Sequence, residues 1–165
     1  MNMQLPVYET QNFYIQAAKR PFIDRAEGGH LYLFPKVAVR DRTQLSPQLA
    51  IEYTKLSMVA GEALVSAMAR RGVDIGIVNY QDMGNWSVFK PEGPSVHLQI
   101  YGRATTATIQ KYGDAVQLPH RESGFYDNFK PLDEEDIKEI KADIEKLLQS
   151  EKYKGAWSED SIAVS

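Results

Sequence analysis

One long helix sets the terms for the rest of this chain. At Ser46-Pro47 a hydroxyl able to accept from the free N–H groups of a helix start precedes a proline suited to the first helical position. From there Leu49, Tyr53, Leu56, Ala60, Ala63, Leu64, Ala67 and Met68 recur at helical spacing. Arg70-Arg71-Gly72 then supplies a cationic last turn and a glycine stop. The segments on either side read as strands. Phe13-Tyr14-Ile15 is a candidate first strand, and His30 to Phe34 is an apolar one stopped by Pro35, which cannot donate to a ladder. Between them Arg25 to Gly29 reads as a turn, with Gly28-Gly29 permitting left-handed geometry. After the helix, Val73 to Asn79 predicts a strand and the segment past the rigid turn Pro91-Glu92-Gly93-Pro94 another, with Trp86 to Phe89 a candidate short one not counted in the order. The order is β-β-α-β-β, an α+β fold with an antiparallel sheet packed with the long helix.

The C-terminal third differs. Tyr112 to Pro131 is rich in turn formers and reads as irregular. Asp133-Glu134-Glu135-Asp136 opens a second helix, acids at its positive end, with Ile137, Ile140, Ile144, Leu147 and Leu148 as its apolar stripe. The alternating ligand spacing of a calcium loop is absent from that acidic run. The expected organisation is a domain over residues 1–131 and a C-terminal helical extension over 132–165, packed on the same domain.

Composition narrows the functional classes. With 165 residues, 43% of them hydrophobic, the chain can bury one proper core. A net charge of -3 gives no global basic field for extended nucleic acid. No cysteine is present, which excludes a disulfide framework and Cys-ligated zinc and fits a reducing compartment. The three histidines (His30, His97 and His120) lack H-x-x-x-H spacing, so a His-rich metal site is not expected. There is no signal-peptide pattern and no apolar run near the ~20 residues of a membrane span. A cytoplasmic chain without a membrane partner or cofactor is the expectation.

Ser95-Val96-His97-Leu98-Gln99-Ile100-Tyr101-Gly102-Arg103 alternates. As a strand it points Ser95, His97, Gln99 and Tyr101 to one face and Val96, Leu98 and Ile100 to the other. The polar face can be an ordinary solvated one, or it can hold a phosphate: imidazole to attack or bind it, amide and hydroxyl to hydrogen-bond its oxygens.

Taken in order, Phe22-Ile23-Asp24, then Gly29-His30-Leu31-Tyr32-Leu33-Phe34-Pro35-Lys36, the long helix, Asn79, Gly84 and Ser95-Val96-His97-Leu98-Gln99 resemble the histidine triad (HIT) superfamily over about residues 12 to 103. Members of that family bind nucleotides in a groove on a sheet. They attack the α-phosphate with the middle His of a His-x-His-x-His run and pass through a nucleotidyl-histidine. The resemblance makes His97 the nucleophile and leaves Ser95 and Gln99 where the other two histidines stand, a divergent member. Galactose-1-phosphate uridylyltransferases and dinucleoside polyphosphate phosphorylases, transferase branches of the superfamily, also place Gln third.

Neutral imidazole attacks phosphorus when its other nitrogen is held as a donor, and the carbonyl of Ser95 or a neighbour can do that. Gln99 can donate to a phosphoryl oxygen but cannot protonate a leaving group, which favours departure of an already stable anion. The resemblance further implies a ribose contact for Asp24, where a turn-initiating Asp is the alternative. It implies phosphate contacts for Ser95, Asn79, Asn85 and Ser87. Here the chain departs from the family, because 88–95 is longer than the family's connection; that segment can carry Phe89 or Lys90 over the groove or displace the phosphate loop. Trp86 reads as a base-stacking or packing residue, His30 as structural, Lys36 as solvent-facing, and Arg103 as a phosphate contact or a strand-end ion pair. The expected function is a nucleotidyl transferase or a nucleotide hydrolase or phosphorylase taking a nucleotide or nucleotide sugar. Alternatives are a catalytically weak or inactive nucleotide-binding module of the same fold, or an interaction protein using its acidic C-terminal helix. A homodimer is expected from family habit, although Ala60, Gly61, Ala63 and Ala67 fit packing on the chain's own sheet equally well.

Overall fold

The computed structural model describes residues 5–155 and 157. Five strands form one antiparallel sheet: β1 (Leu5–Glu9), β2 (Phe13–Ala17), β3 (His30–Pro35), β4 (Ile75–Asp82) and β5 (Leu98–Ala104), in the spatial order β1-β2-β3-β5-β4. Helix α1 (Pro47–Arg70) crosses from β3 to β4, and α2 (Glu134–Leu148) is the last regular element. The α+β class and the long helix agree with the sequence. β1 is an addition to the expected order.

The two faces of the sheet bury different chemistry. Leu31 and Leu33 of β3, Leu98 and Ile100 of β5, and Ile15 of β2 point to α1, meeting Leu56, Val59, Ala60, Ala63, Leu64 and Met68 in the main core. Ala60, Ala63 and Ala67 are fully buried in this core, and a Cβ on Gly61 would meet the Tyr80 hydroxyl, so the small residues serve packing within the chain. Ile140 and Ile144 bring α2 onto the same core. The expected extension at 132–165 is described only through 155 and at 157.

The opposite face is covered in part by the irregular segment after β5. Phe22, Ile23, Tyr101 and Tyr126 form a second cluster, flanked by Val116, Leu118, Phe125 and Phe129. Every residue of β5 is therefore buried, where alternation predicted an open polar face. That segment has few backbone partners of its own, and side chains supply them. The Glu27 carboxylate accepts from the backbone N–H groups of Thr108, Ile109 and Gln110 at 2.7–2.8 Å. Arg103 donates to the carbonyls of Gln110, Lys111 and Asp114 at 3.0–3.3 Å.

Local signals explain the element ends. The Ser46 hydroxyl accepts from Leu49 N–H, capping α1. Asp133 and Asp136 form a reciprocal capping box at α2. Gly28, at φ 128°, approaches Gly102 of β5 so closely that a Cβ would stand 2.3 Å from its carbonyl, a place only glycine can fill. Two expectations need correction. Trp86 to Phe89 is not a strand: Asn85–Ser87 is a turn of 3₁₀ helix, because Gly84 and the following turns break any ladder. His97 also stands one residue ahead of β5, so it is not held by the ladder itself. Among the described residues, no helix is long and apolar enough to cross a membrane.

Candidate functional site

A cavity of about 470 Å³ opens on the polar face of the sheet, where the covering segment stops short. Its floor comes from β3 and the approach to β5. Antiparallel pairing sets Tyr32 opposite Gln99, and period-two alternation adds Phe34 and His97 to the same face. The Phe34 ring stacks near His97, centroids 6.0 Å apart and planes 24° apart. Phe22, Trp86 and Leu118 extend the apolar wall, with Trp86 edge-on to Phe22 at 5.7 Å. Polar groups converge on this floor: Asn85, Ser87 and Lys90 from the segment before His97, and Arg121 from the covering segment.

His97 Nδ1 lies 2.8 Å from the carbonyl oxygen of Ser95. A carbonyl only accepts, so Nδ1 carries the proton and the lone pair of the neutral ring is on Nε2. The Tyr101 hydroxyl donates to Gln99 Oε1 at 2.6 Å, leaving the amide N–H groups as the end of Gln99 that can meet a ligand. Burial raises the Tyr101 and Tyr32 hydroxyls above the ordinary phenol range, so both stay protonated donors.

The structure brings together His97, Gln99, Asn85 and Ser87, four of the seven residues singled out from the sequence, together with Lys90. Ser95 contributes its carbonyl to His97, while the residue itself lines a neighbouring cleft with Arg40, Arg42 and Asp82 that shares Met83, Gly84 and Asn85 with the cavity. Asn79 does not line the cavity; its Oδ1 accepts from Arg103 Nη1 at 2.7 Å. Asp24 does not line it either. One carboxylate oxygen accepts from Ala26 N–H at 2.8 Å and the other from Lys130 N–H at 2.7 Å, the turn-initiating alternative. Arg103 is a clamp for the covering segment, Lys36 pairs with Glu9 and lies over Tyr14, and Phe89 projects into solvent while Lys90 faces the cavity.

His30 is fully enclosed by Phe22, Tyr32 and Tyr101. Its Nδ1 accepts from Phe22 N–H at 3.2 Å, which puts the proton on the buried, unpartnered Nε2. Burial, with the nearby charge of Arg121, holds the ring well below the usual imidazole range and therefore neutral. Among the described residues no cluster of three His, Asp or Glu side chains is grouped to hold a metal ion.

Sequence reasoning missed Phe22, Tyr32, Phe34 and Arg121 as cavity residues. The strand residues had a signal: counting by twos from His30 along β3 gives Tyr32 and Phe34 on one face. Arg121 had none, since a basic residue in a turn-rich segment carries no mark of where that segment folds.

No protein-family model and no curated protein matches the chain. Solved structures do. A HIT-like protein involved in cell-cycle regulation from Bartonella henselae is 14% identical, covering 86% of this chain and 87% of that one at a TM-score of 0.56. A histidine triad nucleotide-binding protein from Sulfolobus tokodaii strain 7 is 17% identical (89% and 87% covered, TM-score 0.56). A zinc-bound histidine triad family protein from Mycobacterium smegmatis is 20% identical (88% and 86% covered, TM-score 0.56). The chain has the fold of the histidine triad superfamily.

Proposed function

On the premise of a histidine triad fold, we propose that this chain binds a nucleotide or nucleotide sugar in the 470 Å³ cavity and acts at its α-phosphate through His97. The observation that carries the reading is the 2.8 Å contact from His97 Nδ1 to the Ser95 carbonyl, which leaves Nε2 as the free nucleophile with no first triad histidine needed. In the first step Nε2 bonds to the α-phosphorus and the bond to the leaving oxygen breaks, its electron pair departing on the leaving anion. In the second, an acceptor oxygen from water or phosphate bonds to phosphorus, the N–P bond returns its pair to Nε2, and any acceptor proton passes to solvent.

Gln99, Asn85 and Ser87 donate to the phosphoryl oxygens, and Lys90 adds positive charge where negative charge builds. Gln99 supplies no proton, so the reading favours leaving groups that are stable anions, such as phosphate or pyrophosphate, as in nucleotidyl transfer or phosphorolysis. The aromatic wall of Phe22, Tyr32, Phe34 and Trp86 offers stacking surface to a base. The reading includes a homodimer joined along β4. That strand lies at the sheet edge, and Ile77 and Tyr80 on it are 53% and 46% exposed.

Intact-protein mass spectrometry after mixing with nucleoside polyphosphates and nucleotide sugars tests the chemistry. The expected result is an acid-labile nucleotide adduct on the wild type that His97→Ala lacks. Ligand-induced stabilisation without an adduct, retained in His97→Ala, would instead identify a binding module. Neither adduct nor stabilisation would overturn the reading.

A further inference from the structure

Arg121 is the cavity cation that the chemistry above does not use. It arises from the covering segment, outside the part of the chain that carries the family resemblance. Its guanidinium carbon lies 4.1 Å from the Phe22 ring centroid and 5.6 Å from that of Tyr126. One Nη2 hydrogen bond goes to the Arg20 carbonyl at 2.9 Å. The other groups acting on its charge are the hydroxyls of Tyr32, Tyr101 and Tyr126 and the like charge of Arg20, and among the described residues no carboxylate pairs with it. Half-buried, the guanidinium has given up part of its hydration without gaining a counter-charge. Burial and Arg20 both disfavour its charge, and a bound anion would offset both.

Its place in the cavity is set by the sheet. His97, Gln99 and Tyr101 follow one another on the same face, successive residues about 7 Å apart. Phe22, on which Arg121 stacks, lies over the row of His30 and Tyr101, at ring distances of 5.5 and 6.5 Å. Arg121 thus enters from the Phe22 side of the cavity and reaches the Tyr32 hydroxyl, midway along the floor between that side and His97. That side also lacks an acid: among the described residues no Asp or Glu lines the cavity, and both oxygens of Asp24 are committed to backbone N–H groups. It offers donors to a ligand, where a sugar diol would call for an acceptor.

We propose that Arg121 recognises a second phosphate on the bound nucleotide, on the Phe22 side of the cavity. The planar fork of the guanidinium suits two phosphate oxygens at once, and its aromatic bed fixes its plane. The inference rests on the nucleotide reading above and narrows its substrate class to compounds with two separated phosphates. The second phosphate can come from the sugar of a nucleoside bisphosphate or from the distal end of a 5′-polyphosphate.

Calorimetric titration of the full chain separates these. The probes are the four common nucleoside 5′-monophosphates, their 3′,5′-bisphosphates and their α,β-methylene 5′-triphosphates, the last resisting turnover at the α-phosphate. The expected result is that either the bisphosphate or the triphosphate series binds at least tenfold tighter than the monophosphate. That advantage should collapse to within threefold in Arg121→Gln, and whichever series shows it identifies the source. Equal binding of all three, or an advantage that survives in Arg121→Gln, overturns this inference while leaving the nucleotide reading standing. If no nucleotide of any series binds, the nucleotide reading fails and this one with it. Thermal melts report whether the variants fold. Should Arg121→Gln not fold, Arg121→Lys keeps a point charge without the fork and should lose at least threefold of the advantage; full retention overturns the proposal.

Discussion

At the scale of single residues, two histidines on one face of the sheet have opposite surroundings. His97 is half-buried at the cavity floor and donates through Nδ1, whereas His30 is enclosed and accepts through Nδ1. Burial makes the protonated form of His30 unfavourable in the folded state, so its folded pKa lies well below the ordinary value. In the unfolded chain it titrates at about 6.5. As pH falls through that value the unfolded chain takes up a proton that the folded chain refuses, and stability is lost by up to about 1.4 kcal/mol per pH unit; above it His30 adds no slope. Urea midpoints at pH 7.5 and 5.5 should therefore fall with acid in the wild type and fall less in His30→Gln. Identical acid dependence in both would show that His30 is not the group refusing the proton. The alternation of residues 95–103 made the His97 face legible. Asp24 and Asn79 were not, because their partners, Lys130 and Arg103, are 106 and 24 residues away in sequence.

At the scale of elements, caps and periodicity were readable because their partners lie within a turn of the chain. Ser46-Pro47 and Asp133 mark the two helix starts as observed. The first strand, Leu5–Glu9, was missed: Pro6 and a register shift next to it blur its alternation. What holds α2 in place was also invisible. Asp136, fully buried, accepts from Arg25 at 2.5 and 2.7 Å and from Arg71 at 2.9 Å, tying α2 to the turn before β3 and to the end of α1. Burial alone would raise its carboxyl. The hydrogen bonds from both arginines and from Asp133 N–H outweigh burial and hold it below the usual carboxylate range. Removing the acid would leave the two guanidinium groups with only the more exposed Asp133 carboxylate, 3.3 Å from Arg25 and 3.2 Å from Arg71, and would break the capping box. Asp136→Ala should destabilise the fold by on the order of 3 kcal/mol, read from chemical denaturation. A loss below about 1 kcal/mol would mean that packing of Ile140 and Ile144 suffices to dock α2.

At the scale of the whole molecule, the sheet separates two jobs. One face makes the core with α1 and α2; the other carries His97, Gln99 and their aromatic neighbours, partly roofed by a segment without regular structure. One edge of the sheet is β4, where Ile77 and Tyr80 stand partly exposed on opposite faces. If copies join there, sedimentation at micromolar concentration should give twice the protomer mass, and Ile77→Glu should return the monomer. A clean monomer for the wild type would exclude the dimer under those conditions. Legible in the sequence alone were the α+β class, the long capped helix, the face of the sheet to which His97 turns, and the likeness to the histidine triad fold. Each is written in spacings of two to four residues, where neighbours along the chain are neighbours in space. Which polar residues meet became visible only in the folded chain. The fold committed Asp24 and Arg103 to holding the chain together, roofed the polar face of β5, and set Arg121 on Phe22 inside the cavity. Those pairings span long stretches of sequence, and which of them form follows from how the irregular segment settles on the sheet.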